Sequence, residues 1–225
     1  KKDLPKSTIM GLNAAYPNYG YIGIPMCIIA FGVESSLPLG LILLADTIVL
    51  LSVTSFFISF SERKKTYIEI IKNLITRIVS QPLLIAVCLG MVFSQLNVKP
   101  TFTVNKFVEM IASSAAPVAL IALGASIKFK FQKSENIELF FISLGKLIFH
   151  PFLLISIFLF FPSGKSVWVQ TAILCSCLPI AANVFVLAQF YGHFQKQSAN
   201  AIVLSTVIST FTVPSTLYII FLLNF

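Results

Sequence analysis

Long apolar runs, each about 20 residues and therefore long enough to cross a bilayer as a helix, dominate this 225-residue sequence. Seven such runs, separated by short polar connections, cover residues 9–31, 37–60, 78–96, 107–127, 137–161, 167–191 and 199–225. Only 11% of the residues are charged, whereas soluble domains have about 25%. The sequence therefore predicts an all-α, multi-pass membrane protein and excludes a soluble globular domain.

The basic residues indicate how these spans are oriented. If the spans alternate in direction, twelve Lys and Arg residues fall on one side of the membrane, three fall on the other, and Lys146 lies inside a span. Cytoplasmic loops are enriched in Lys and Arg. We therefore expect residue 1 on the cytoplasmic side of the cytoplasmic membrane and the C-terminus outside. The net charge of +8 is then a topology signal, and nucleic acid is not an expected partner.

Two of the spans contain helix-breaking residues near their middle. The first span carries PNYGYIGIP at residues 17–25, and the sixth carries LPIAANV at residues 178–184. Such clusters cannot hold a regular helix, and in hydrocarbon the freed backbone groups must be satisfied by protein, water or a ligand. Paired interrupted spans are typical of the midplane sites of secondary transporters, where half-helix N-termini offer N–H groups to an anion.

A shift of 160 residues aligns the two interrupted spans and the spans that follow them. Gly32 then meets Gly192, and Asp46 meets Thr206. Because the first span runs from inside to outside and the sixth runs back, this repeat would be inverted. The alternative interpretation is that each proline simply kinks its helix, which membrane proteins tolerate well.

Several motifs in the expected order resemble those of the auxin efflux carrier family, which includes bacterial organic-acid carriers and the plant PIN-formed proteins. Residues 17–25 resemble its N-x-G-x-x-G-x-P motif, and QPLLI at 81–85 resembles its N-P-L-L-I helix start. AAPVALIALG at 115–124 resembles its A-A-P-L-A-L-x-A-L-G segment, and further matches follow at 146–151 and 178–192. The resemblance covers essentially the whole chain.

The resemblance implies an inverted-repeat transporter of ten spans with two crossing broken helices, a fold shared with sodium–bile acid symporters and sodium–proton antiporters. This chain would hold spans four to ten and lack the first three, including the span in which plant members carry residues proposed for proton coupling. Residues 1–60 would end the first repeat of the transport domain, 61–77 would be a cytoplasmic linker, and 78–130 would be scaffold-domain helices. Residues 131–225 would complete the transport domain. A homodimer through the scaffold helices is expected.

Six residues at the two interruptions are the candidate substrate-binding residues, and the resemblance places them at the helix crossing. An asparagine amide offers donors to a carboxylate and an acceptor to a cation, without the cost of burying a charge. The alternative is that each asparagine caps its own broken helix. The six residues are Asn18, Gly20, Gly23, Pro25, Pro179 and Asn183.

Three ionisable residues inside the spans are candidates for coupling or gating. Asp46 and Lys146 each lie near the middle of a span, where a charge costs at least about 2.5 kcal/mol on insertion scales. They either form a structural ion pair or they gate the path, carry protons or attract the anion. His150 lies one turn after Lys146 on the same helix face; it either relays protons or hydrogen-bonds the carbonyl freed by Pro151.

These residues together predict a transport function. The chain has no phosphate loop and no nucleophile–base pair, so ATP-driven transport, an enzyme activity and a cofactor are not expected. Cys175 and Cys177 point to different helix faces, so no metal site is expected.

The resemblance implies an elevator-type secondary active transporter that exports small organic anions, such as carboxylates or auxin-like acids, with a proton or a sodium ion as the coupling ion. The alternatives are a sodium-coupled uptake carrier similar to bile acid symporters, and a membrane sensor that binds the same ligands without moving them.

The predicted orientation can be tested with single cysteines. Lys64→Cys and Lys130→Cys should be shielded from an impermeant thiol reagent in intact cells, whereas Lys165→Cys should be labelled, because loops rich in Lys and Arg stay in the cytoplasm. The unsubstituted chain gives the background labelling of its four native cysteines. The reverse pattern would contradict the orientation and the inverted repeat that depends on it.

Overall fold

A computed structural model describes residues 3–62, 68, 72, 75–76, 82–97, 100–126, 136–161, 166–223 and 225. This part of the chain is helical, as predicted. Its α-helices are α1 Leu4–Ala15, α2 Ile24–Phe31, α3 Ser36–Glu62, α4 Pro82–Gln95, α5 Phe102–Ser126, α6 Asn136–Leu144, α7 His150–Phe160, α8 Val167–Ser176, α9 Ala182–Tyr191 and α10 Gln195–Leu222. Two π-helical turns lie at Tyr19–Gly23 and Gly145–Phe149, and a 3₁₀ turn lies at Val33–Ser35.

Three helical segments within the described ranges are long and apolar enough to cross a membrane. They are Val33–Ile58, Ile137–Phe160 and Gln195–Leu222. The first and sixth predicted spans are instead divided into shorter helices by their interruptions. Of the predicted linker at 61–77, the structure describes only residues 61–62, 68, 72 and 75–76. The count of seven spans therefore stays a prediction.

Proline ends the helix at each predicted interruption. α1 ends before Pro17, which has no N–H to donate, and the preceding Tyr16 is extended with φ −86° and ψ 108°. In the sixth predicted span α8 ends and α9 begins on either side of a non-helical segment that contains Pro179. The helix-breaking residues thus act where the sequence places them.

The two interruptions meet and satisfy each other's backbone groups. The N–H of Asn18 donates to the carbonyl of Pro179 at 2.8 Å, and the N–H of Ala181 donates to the carbonyl of Tyr16 at 3.1 Å. Together these bonds form an isolated antiparallel β-bridge between segments about 160 residues apart in the chain. In a bilayer interior each such group left unpaired would cost several kcal/mol, so the bridge holds the two broken helices together.

Buried apolar residues lie at this bridge. Leu178 and Val184, the first and last residues of the second interruption, are fully buried. By contrast, α4 and α5 expose apolar side chains: Leu89, Phe107 and Ile111 are each more than half exposed. α5 contacts α2 and the first π-helical turn, and α4 contacts α3. The division of the chain into scaffold and transport domains stays a prediction.

The second half of each interrupted helix ends at a glycine with positive φ. Gly32 follows α2 with φ 77°, and Gly192 follows α9 with φ 75°. Each glycine leads into a long helix, α3 of 27 residues or α10 of 28 residues. These are the two glycines that the 160-residue shift aligns, so the order of short helix, glycine and long helix occurs twice along the chain.

Substitution of these glycines should lower the thermal unfolding temperature in detergent. An L-residue in a left-handed conformation costs about 1–2 kcal/mol, and this applies to Gly192→Ala. Gly32→Ala should cost up to about 3 kcal/mol, because φ 77° with ψ −177° is a region that essentially only glycine occupies. Gly11→Ala inside α1, where a β-carbon meets open space, is the control and should stabilise by about 0.5–1 kcal/mol. Unchanged stability in both positive-φ variants would contradict these turns.

Candidate functional site

A cavity of about 50 Å³ lies where the two interruptions meet. Its lining comes from both of them and from α3: Tyr16, Pro17, Asn18, Tyr19, Gly20, Tyr21, Leu43, Ala181, Ala182 and Asn183. Three of the six candidate substrate-binding residues, Asn18, Gly20 and Asn183, are therefore brought to one place. No Lys, Arg, His, Asp or Glu of the described ranges lines this cavity. Its polar groups are amides, tyrosine hydroxyls and backbone.

Asn18 uses one atom of its amide to cap a helix and leaves the other free. Its Oδ1 accepts a hydrogen bond from the N–H of Tyr21 at 3.3 Å, which caps the first π-helical turn. Its Nδ2 has no hydrogen-bond partner in the described part of the chain, although the residue is only 2% exposed. A buried donor without a partner costs about 1–3 kcal/mol. Asn18 therefore caps its own broken helix and also offers a donor to a ligand.

The N-terminus of α9 borders the same cavity without a cap. Its N-cap residue is Ala181, and no side chain hydrogen-bonds to its first turn. The N–H groups of Ala182 and Asn183 find no acceptor among the residues that the structure describes. Asn183 itself is exposed. The first turn of a helix carries free N–H groups and a partial positive charge, so this end of α9 attracts an anion.

Gly23, Pro25 and Pro179 act through the backbone and through packing, since none of them lines the cavity. A β-carbon on Gly23 would lie 2.9 Å from Cδ1 of Leu178, so glycine permits the close approach of the two interruptions. Pro25 lies in the first turn of α2, where a missing N–H is tolerated. Pro179 supplies the carbonyl that accepts from Asn18.

A family model described as "Membrane transport protein" matches residues 1–217. The chain belongs to this family, the auxin efflux carrier family. It is also 28% identical over 221 residues to a protein of Rhizobium meliloti (strain 1021) named "Putative malonate transporter", an alignment that covers 98% of this chain and 69% of that relative. The family resemblance read from the motifs is confirmed. With the apolar helices, membership of the auxin efflux carrier family makes this a multi-pass membrane protein and favours a transporter over an enzyme.

In this auxin efflux carrier family member, Asp46 is tied to the cavity by a tyrosine. The hydroxyl of Tyr19 donates to Oδ2 of Asp46, and Tyr19 is only 4% exposed. A second tyrosine, Tyr16, shares a 3.2 Å hydrogen bond with Oγ1 of Thr47. Neither tyrosine was among the site residues predicted from the sequence, although the two flank the Pro17-Asn18 pair and hydrogen-bond to the helix that carries Asp46.

Lys146 does not pair with Asp46, because no salt bridge joins these two described residues. The described residues therefore show no direct ion pair here, and the roles of Asp46 and Lys146 stay predictions. Nζ of Lys146 instead donates to the carbonyl of Ser176 at 2.9 Å and lies 3.0 Å from Nδ1 of His150. His150 thus contacts the lysine one turn away and not the carbonyl that Pro151 frees.

The contact between Gly23 and Leu178 can be tested by a double-mutant cycle. Gly23→Ala should destabilise by about 1–3 kcal/mol because it overpacks the junction. Leu178→Val removes the atom that the new methyl group meets, so the double variant should lose less than the sum of the single losses. Gly90→Ala, where a β-carbon meets open space, should be additive with Leu178→Val. Chemical unfolding of the purified variants gives the four free energies, and additivity at Gly23 would contradict the contact.

Proposed function

We propose that this chain belongs to a secondary active transporter that exports small organic anions of the carboxylate class, malonate among them, across the cytoplasmic membrane. The observation that carries this proposal is the convergence of unpartnered donors at one cavity. Nδ2 of Asn18 comes from one interruption, and the free N–H groups at the start of α9 come from the other. The name of the Rhizobium meliloti relative supports a dicarboxylate as the substrate.

The donors suit a carboxylate that must be bound and then released. Each hydrogen bond to a charged group contributes about 1.5–3 kcal/mol, and the positive end of the α9 dipole adds up to about 1 kcal/mol at such a site. No basic side chain of the described residues lines the cavity. The anion is therefore held by neutral groups, which gives moderate affinity and permits fast release.

The described conformation is closed to such a substrate. A cavity of about 50 Å³ has room for a few water molecules. A dicarboxylate is larger, so the lining must open before it binds. Tyr16, Tyr19 and Tyr21 line the cavity, and their rings are the largest side chains in its lining.

We infer an elevator-type mechanism in an inverted repeat of ten spans. α1–α3 and α8–α10 each contain a short helix, a glycine turn and a long helix, and the β-bridge joins them. They would move as one body against scaffold helices that include α4 and α5, whose exposed apolar side chains suit lipid, neighbouring spans or a second copy of the chain. A proton or sodium ion would couple this movement to anion transport, with Asp46, which accepts from the cavity-lining Tyr19, as the candidate carboxylate.

The amides at the cavity can be tested by substitution. Asn18→Ala and Asn183→Ala should each weaken malonate binding about tenfold, which is the loss of one hydrogen bond to a charged group. Asn18→Asp keeps the oxygen that caps Tyr21 but replaces the free donor with a negative charge, so it should lose binding more completely. Asn105→Ala, on the exposed face of α5, is the matched control.

Binding by calorimetry and flux in liposomes should be measured on the same purified full-length variants, with thermal unfolding as the test of folding. Normal binding and flux in all three amide variants would place the substrate elsewhere. Binding of malonate without accumulation in liposomes would identify a sensor and contradict the transport function.

A further inference from the structure

A fully buried lysine contacts the C-terminal end of α8, which is the first half of the second interrupted helix. Lys146 is 0% exposed and belongs to the π-helical turn between α6 and α7. The N–H of His150 donates to the carbonyl of Gly145, five residues earlier, which widens the helix at this point. The π-helical turn thus places Lys146 and His150 together against the end of α8.

The last four carbonyl groups of α8 all have hydrogen-bond donors. The last four carbonyl groups of a helix have no partners inside that helix. At an end buried in a membrane, donors from elsewhere must therefore hydrogen-bond to them. The donor–acceptor pairs are Ser176 Oγ to Ile173 O at 2.6 Å, Cys177 N to Leu174 O at 3.2 Å, Leu178 N to Cys175 O at 3.4 Å and Lys146 Nζ to Ser176 O at 2.9 Å. Three donors come from the same segment, and Lys146 alone reaches in from another helix.

Complete burial disfavours the charged form of Lys146, but the groups around its Nζ atom are ones that stabilise a cation. Its described partners are a carbonyl oxygen and a ring nitrogen, and no carboxylate forms a salt bridge with it in the described ranges. The C-terminal end of α8 carries a partial negative charge. With an ammonium as donor, Nδ1 of His150 accepts, which puts the ring proton on Nε2. Carbonyl groups at the C-terminal ends of broken helices are also the groups that coordinate sodium ions in secondary transporters.

We propose that the Lys146 ammonium takes the position of a bound monovalent cation at the C-terminal end of α8. In that position it holds residues 177–181 in the conformation that presents the N–H groups of α9 to the anion. The anion part of this inference rests on the proposed function. The cation part does not, and it can be measured without any substrate.

The first test is hydrogen exchange of the backbone amides of residues 177, 178, 180 and 181 in the full-length protein, since Pro179 has no N–H. Lys146→Ala removes the ammonium and leaves space, so exchange in this segment should rise about tenfold or more, and added methylammonium should restore protection. Lys146→Met fills the space without a donor, so exchange should rise equally but methylammonium should not restore it. Lys146→Arg keeps the charge and should stay close to the wild type, which covers the case in which Lys146→Ala does not fold.

The second test is malonate binding by the same variants. It should fall with the loss of protection and return with methylammonium in Lys146→Ala alone. Unchanged exchange in Lys146→Ala and Lys146→Met would overturn the inference. Increased exchange in Lys146→Ala that neither methylammonium nor sodium reverses would also overturn it. So would a Lys146→Arg variant that exchanges as fast as Lys146→Met. If methylammonium restores protection while even the wild type binds no malonate, the cation role stands and the proposed function fails.

Discussion

The pair of backbone hydrogen bonds between the two interruptions is the interaction on which the rest of this structure depends. A helix broken inside a membrane exposes carbonyl and N–H groups that hydrocarbon cannot satisfy. Here Tyr16 and Asn18 give one carbonyl and one N–H to the other interruption, and Pro179 and Ala181 return the matching groups. Without its partner, each broken helix would leave one carbonyl and one N–H unpaired. The burial of Leu178 and the need for glycine at position 23 both follow from this approach.

The two helix ends that meet at the second interruption carry opposite partial charges, and they differ in how their backbone groups are hydrogen-bonded. At the C-terminal end of α8 every terminal carbonyl has a donor, and the last one is Lys146. At the N-terminal end of α9 the cap is an alanine and the first-turn N–H groups are left open. The backbone groups at the end of α8 are thus all hydrogen-bonded and those at the start of α9 are not, although only five residues separate the two helices. The proposed anion site lies on the side where the chain supplies no acceptor for these N–H groups.

The sequence predicted the positions of both interruptions, because proline and clustered glycine act locally and need no tertiary information. It also placed Asn18 and Asn183 beside one another through the family motifs, but it did not show that Asn18 divides its amide between capping and a free donor. Two features could not be predicted from the sequence. A bridge made of main-chain atoms leaves no side-chain signal, and the partner of Lys146 depends on a π-helical turn that moves the helix register. The four-residue spacing did place His150 beside Lys146, whereas position in the middle of a span left an ion pair with Asp46 as an open alternative.

Since the bridge uses main-chain atoms only, it places few demands on the identity of the residues it joins, apart from the prolines and the small residues that allow close approach. Side chains that border the cavity can therefore diverge without loss of the joint between the broken helices. A lineage can acquire a new ligand preference by point substitution at positions such as Tyr21 or Ala182, while the framework that moves the ligand is inherited unchanged. An identity of 28% to a relative over 98% of this chain is compatible with such an arrangement.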